Sequence, residues 1–123
     1  MNPIIKIKRV YEAPEKDDGH RVLIDRLWPR GIKKEAITDW EKELAPTTEL
    51  RTWFDHQAER WPEFKKRYHA ELKKNDYVNS FIKKHKTSKI VTFLYASKDE
   101  EHSHVSVLRD YLLRLFEHLS KPK

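Results

Sequence analysis

The stretch that most restricts the fold is KIVTFLYA, residues 89–96. Its apolar residues run almost without interruption over a length that suits a strand. Such a run marks a strand covered on both faces, as in the middle of a parallel sheet. Two further strands precede it. Ile4, Ile5, Ile7 and Val10 place one over about residues 3–10. RVLIDRL places another over 21–27, stopped by Pro29 and Gly31. The polar stretch EAPEKDDG (12–19) between them is a turn or loop. Residues 32–46 read two ways: Trp40 and Leu44, four apart, suit a helix, whereas Ile37 suits the start of an extended segment. The expectation is a short strand within 37–44.

Helical signals fill the rest. Thr47 or Thr48, after Pro46, is an N-cap for a helix burying Leu50, Trp53 and Phe54. Trp61-Pro62 opens a second helix, in which Trp61, Phe64, Tyr68 and Leu72 form the apolar side. Asn75-Asp76 interrupts that pattern, and a third helix runs from about Tyr77 to His85. The last carries Val105, Leu108, Leu112, Leu115, Phe116 and Leu119. Strands separated by helices predict one small α/β domain over residues 1–123, with a mostly parallel sheet of about four strands flanked by helices. The two-helix segment before residue 89 is long enough for a parallel crossover.

Composition excludes several classes. There is no Cys, so disulfides and thiolate chemistry are ruled out. No apolar run reaches membrane-spanning length, and MNPIIKIKRV has no signal-peptide pattern, so the expectation is a cytoplasmic protein with no membrane partner. Net charge is +6, and residues 61–90 account for all of it, with nine Lys/Arg against Glu63, Glu71 and Asp76. A basic face of that kind either steers polyanions or is a solvated helix surface. Nucleic acid is therefore carried as a second partner class, although no nucleic-acid motif supports it. A third class is a partner-binding protein without catalysis, with Trp28 and Trp53 at its interface. There is no Gly-rich phosphate loop, G-x-S-x-G, H-E-x-x-H or zinc-finger spacing. No cofactor, metal site or oligomeric state is assigned.

Open parallel sheets bind ligands beyond the carboxyl ends of their strands. DRLWPRG (25–31) ends the second strand and ASKDEEHSH (96–104) ends the strongest one. If these strands run parallel, both loops open on one crevice. Arg26 and Arg30 offer forks for phosphate or carboxylate oxygens, and Trp28 offers a ring to pack on the remainder. Asp25 and His104 are the acid–base candidates, with Ser97, His102 and Arg51 as further ligand contacts. The predicted ligand is an anionic small molecule, phosphate- or nucleotide-like. Structural alternatives stand beside these roles. Ser97 and Glu100 fit a capping box for the last helix. Arg51 and Asp55 fit an i,i+4 ion pair. His102 and His104 fit a metal pair only on a strand or loop, with Asp99 or Asp25 as third ligand. Ser97 or Ser103 beside a histidine is the nucleophile candidate.

RVLIDRLWPRG, LAPTTELRTWF and FLYASKDEEHSHVSVL, in this order, resemble the YeaO-like branch of the domain-of-unknown-function 488 family over roughly residues 4–117. The resemblance implies a small cytoplasmic bacterial or archaeal α/β protein and brings no established activity. Longer members carry D-V-R-x-x-P-R-S-R in place of Asp25–Gly31, and C-H-R near Ser103-His104-Val105. The shared positions are Asp25, Pro29, Arg30 and His104. This chain has neither the cysteine nor the second arginine of the C-H-R segment, which counts against a thiol-dependent or two-arginine mechanism.

Overall fold

The computed structural model describes residues 2–120, apart from the side chain of Ser120. Its strands are β1 (Ile4–Arg9), β2 (His20–Leu23), β3 (Asp39–Trp40) and β4 (Ile90–Tyr95). All pair in parallel, in the order β1-β4-β2-β3. The apolar run 89–96 thus supplies a central strand. It pairs with β1 from Ile4↔Ile90 to Arg9↔Tyr95, and with β2 from His20↔Val91 to Leu23↔Leu94. Val91 to Tyr95 are all buried, as a strand covered on both faces requires. The α/β class, the parallel sheet and the number of strands agree with the sequence.

The helices are α1 (Thr48–Phe54), α2 (Trp61–Lys73), α3 (Tyr77–His85) and α4 (His104–Ser120). All four pack on one face of the sheet. There Val22, Ile24, Val91, Phe93 and Tyr95 meet Leu50, Phe64, Tyr68, Phe81, Leu108 and Leu112 in a single apolar cluster. The other face is covered by coil. Val10, Leu23 and Leu94 lie there under Ile32 and Ile37. Beside them, Asp18 takes 2.6 Å and 3.1 Å contacts from Arg21 and Lys8. Gly19 precedes β2 with φ +63, and a Cβ there would lie 2.2 Å from the Ile90 carbonyl oxygen, so only glycine fits.

Local signals explain the helix boundaries. Thr47 caps α1, its Oγ1 accepting from Leu50 N at 3.2 Å and donating to Glu71 Oε2 at 2.6 Å. Pro62 sits in the first turn of α2, where its missing N–H costs nothing. Three boundaries differ from expectation. β2 stops at Leu23 rather than 27, because beyond Ile24 side chains replace the ladder bonds: Asp25 Oδ2, not a carbonyl, accepts from Ala96 N at 2.9 Å. The strand within 37–44 shrinks to Asp39–Trp40, between single turns at Lys34–Ala36 and Lys42–Leu44. α4 starts at His104, so Ser97 and Glu100 form no capping box for it.

Candidate functional site

β4 and β2 are neighbours whose chains leave in opposite directions. The chain after β4 enters α4 on the helical face, and the chain after β2 crosses to the coil face through Ile32 and Ile37. Such a divergence opens a crevice at the carboxyl edge of a parallel sheet. A cleft of about 670 Å³ lies there. Asp25, Arg26, Trp28 and Arg30 line it from the loop after β2, and Ser97, His102 and His104 from the loop after β4. Arg51 of α1 also faces it, so all eight residues singled out in the sequence come together.

Their engagements differ. Asp25 and His104 stitch the two loops together. Asp25 Oδ2 accepts from Ala96 N, and its Oδ1 lies 3.6 Å from His104 Nε2. His104 Nε2 in turn bonds the Ile24 carbonyl oxygen. Burial pushes the Asp25 carboxyl above its ordinary range, only partly offset by His104, the Ala96 N–H and Arg51. Burial likewise holds the His104 imidazole below its ordinary value despite Asp25 and Ile24. Burial thus opposes the charged form of each, while Arg26, Arg30 and Arg51 bring positive charge to the lining and Asp55 negative charge.

Those arginines are unequal. Arg26 spends its fork on the carbonyls of Ala45 (3.0 Å) and Pro46 (3.3 Å) and lies 3.6 Å from Glu43. It ties the site to the entry of α1. Of the chain's nine arginines, six are hydrogen-bonded or ion-paired through their side chains. Among the described residues Arg30, Arg51 and Arg114 are not, and the first two line this cleft. Arg51 does not pair with Asp55. The helix ends at Phe54, and Asp55 and His56 turn away from helical geometry with φ 46 and 54.

The histidines form separate pairs. His102 Nδ1 lies 3.0 Å from Asp99 Oδ2, with Trp61 edge-on at 5.3 Å. His104 is the first residue of α4 and contacts Asp25, so no H-x-H metal pair is assembled. Ser97 Oγ accepts from Asp99 N, while Ser103 is buried and does not line the cleft, and neither hydroxyl is hydrogen-bonded to a histidine among the described residues. Among the described residues, the one cluster with three converging acidic ligand atoms is Glu15, Asp17 and Asp18. Lys6, Lys8 and Arg21 already neutralise it.

The family model described as "Inactive DUF488-N3 subclade" matches residues 4–122. The chain belongs to the DUF488 family. It is 40% identical over 113 residues to uncharacterized protein YeaO of Escherichia coli K12, an alignment covering 90% of this chain and 98% of that one. It is also 40% identical over 110 residues to uncharacterized protein Rv3073c of Mycobacterium tuberculosis H37Rv, covering 88% and 92%. No solved structure matches.

In this DUF488 domain several lining residues escaped the sequence. Tyr11 follows β1, a third strand opening on the same edge, so the carboxyl-end rule already contained the signal for it. Asp55 and His56 had none, because their left-handed geometry depends on where α1 stops. Trp53 is half-buried, with the guanidinium carbons of Arg60 and Arg67 at 5.6 Å and 4.1 Å from its ring.

Proposed function

We propose that this domain binds an anionic small molecule, phosphate- or nucleotide-like, in the cleft at the carboxyl edge of the sheet. The observation that carries this is the pair Arg30 and Arg51. Two exposed guanidinium groups line one hollow, and neither has a hydrogen bond or ion pair from its side chain among the described residues. Planar forks left open in this way match phosphate and carboxylate oxygens. The cleft volume lies within the span of organic ligand sites. The reading is of a binding domain rather than an enzyme. Asp25 and His104 are tied into the loop framework, and the family description speaks of an inactive subclade. Nucleic acid ranks second, because the lysines of α2 and α3 are exposed as a solvated face would be.

The test is thermal unfolding against a panel of phosphate, pyrophosphate and nucleoside phosphates. A ligand at 100 times its Kd adds about 2.7 kcal/mol, a rise of several degrees. Arg30→Ala or Arg51→Ala is expected to abolish that rise. If no anion raises the midpoint of the unaltered protein, the reading fails.

A further inference from the structure

The mouth of the cleft carries a feature that an anion alone does not explain. Tyr11, Leu27 and Trp28 line it while remaining 49%, 74% and 36% exposed. Large apolar side chains left open together mark a contact surface. Both rings are pinned. Tyr11 OH donates to the Arg30 carbonyl at 3.2 Å, and Trp28 Nε1 donates to the Ile32 carbonyl at 2.8 Å. Each aromatic is therefore tied to the short segment that carries the open Arg30 side chain.

Further contacts hold the rings in place. Trp40 packs edge-on against Trp28 at 5.4 Å. Arg9 sits 5.3 Å from the Tyr11 ring centre and is itself anchored to the carbonyls of Ala96 and Ser97. A ring fixed before binding loses little freedom when something stacks on it. Aromatic faces beside arginines are the recurring means of holding a base together with its phosphate.

Resting on the reading of the cleft as an anion site, we infer that its ligand joins a phosphate to a planar heteroaromatic ring, as a nucleoside monophosphate does. The ring packs at Trp28 and Tyr11, and the phosphate lies toward Arg30 and Arg51. The same chemistry is offered by a free nucleotide and by the end of a single strand.

Titration calorimetry separates these cases, using adenosine and cytidine monophosphates, ribose 5-phosphate, inorganic phosphate and a 5′-phosphorylated single-stranded hexanucleotide. The nucleoside monophosphates are expected to bind on the order of 10- to 100-fold more tightly than ribose 5-phosphate. Trp28→Ala is expected to bring the affinity for the nucleoside monophosphates down to that for ribose 5-phosphate. Trp28→Phe keeps most of it, and Tyr11→Leu tests the second ring should Trp28→Ala fail to fold. A hexanucleotide that outbinds the mononucleotides supports the inference and assigns the source to a strand end; the reverse order supports a free nucleotide. Equal affinity for ribose 5-phosphate and the monophosphates overturns the ring inference while the anion reading stands. If none of these compounds binds, both fall.

Discussion

The molecule holds two clusters of charge, and they are built in opposite ways. Under the coil face, Asp18 is 1% exposed and every charge around it is matched. Its carboxylate meets Arg21 Nη1 at 2.6 Å, Lys8 Nζ at 3.1 Å and Glu15 N at 3.0 Å. Arg21 also donates to the Ala36 carbonyl, and Thr92 Oγ1 bonds the Asp18 carbonyl. At the carboxyl edge, by contrast, Arg30 and Arg51 stand open beside a buried Asp25–His104 pair. Cations with full sets of partners hold the chain together. Cations left without them at a concave site keep their hydrogen-bonding capacity for something else. The two clusters should therefore respond differently to the same kind of change.

The largest effect is expected at Asp18. Asp18→Ala leaves Arg21 buried without its carboxylate, while Lys8 keeps Glu15, and the expected loss is about 3–5 kcal/mol. Thermal unfolding should show a midpoint lower by about 10 °C or more. A fall of only a degree or two would mean that the network is incidental and would erase the contrast. Next comes Thr47→Ala, which removes the cap of the helix carrying Arg51 and deprives Glu71 of its hydroxyl donor. The expected loss is about 1–2 kcal/mol, read by the same measurement. An unaltered midpoint would show that α1 is held by packing alone.

A pH series divides the clusters without mutation. His104 is held below its ordinary value by burial, and so are His85, the last residue of α3, and His69 of α2. Groups of that kind stabilise fully above the ordinary histidine pKa, and the contribution is lost as pH falls from there toward their folded values. Asp25 acts in the opposite sense. Its raised carboxyl favours the fold when protonated, and that gain is lost as pH climbs from the ordinary aspartate range through its folded value. For Asp18, burial opposes ionisation, but hydrogen bonds from Glu15 N–H, Lys8 and Arg21 outweigh it and lower the pKa. Its contribution is present above the ordinary aspartate value and lost only below it. The midpoint should thus fall from pH 7 to 5 through the histidines, then again at strongly acid pH through Asp18. His104→Gln should flatten part of the first step and leave the second. A single step confined to strongly acid pH would refute the assignment to the histidines.

The elements marked by a local apolar pattern, whether a continuous run or a helical period, were legible in the sequence. KIVTFLYA gave a central strand, and Trp61, Phe64, Tyr68 and Leu72 gave the inner side of α2. The pairing of the two loops was also legible, since it required only that β2 and β4 be parallel. What escaped depends on contacts distant in sequence. Arg26 reads as an anion fork until Ala45 and Pro46, about twenty residues away, take its donors. Ser97 reads as a helix cap until Asp99 folds the loop so that Glu101 N and His102 N bond its Oδ1, delaying α4 to His104. The coil cover over Leu23 and Leu94 follows from no local period at all.

The smallest expected change in stability is also the one that weighs most on the comparison. Arg51 is exposed and its side chain has no hydrogen bond or ion pair among the described residues, so Arg51→Ala should shift stability by no more than about 0.5 kcal/mol. The substitution removes its attraction to Asp25 and its opposition to a charged His104, and Asp25 keeps His104 and the Ala96 N–H. The same substitution should remove the ligand-induced rise in midpoint, so one variant separates fold from binding. A destabilisation approaching that of Asp18→Ala would place Arg51 among the structural cations and leave Arg30 alone as an open fork. Intact stability with lost binding would confirm that the two clusters differ in purpose as well as in partners.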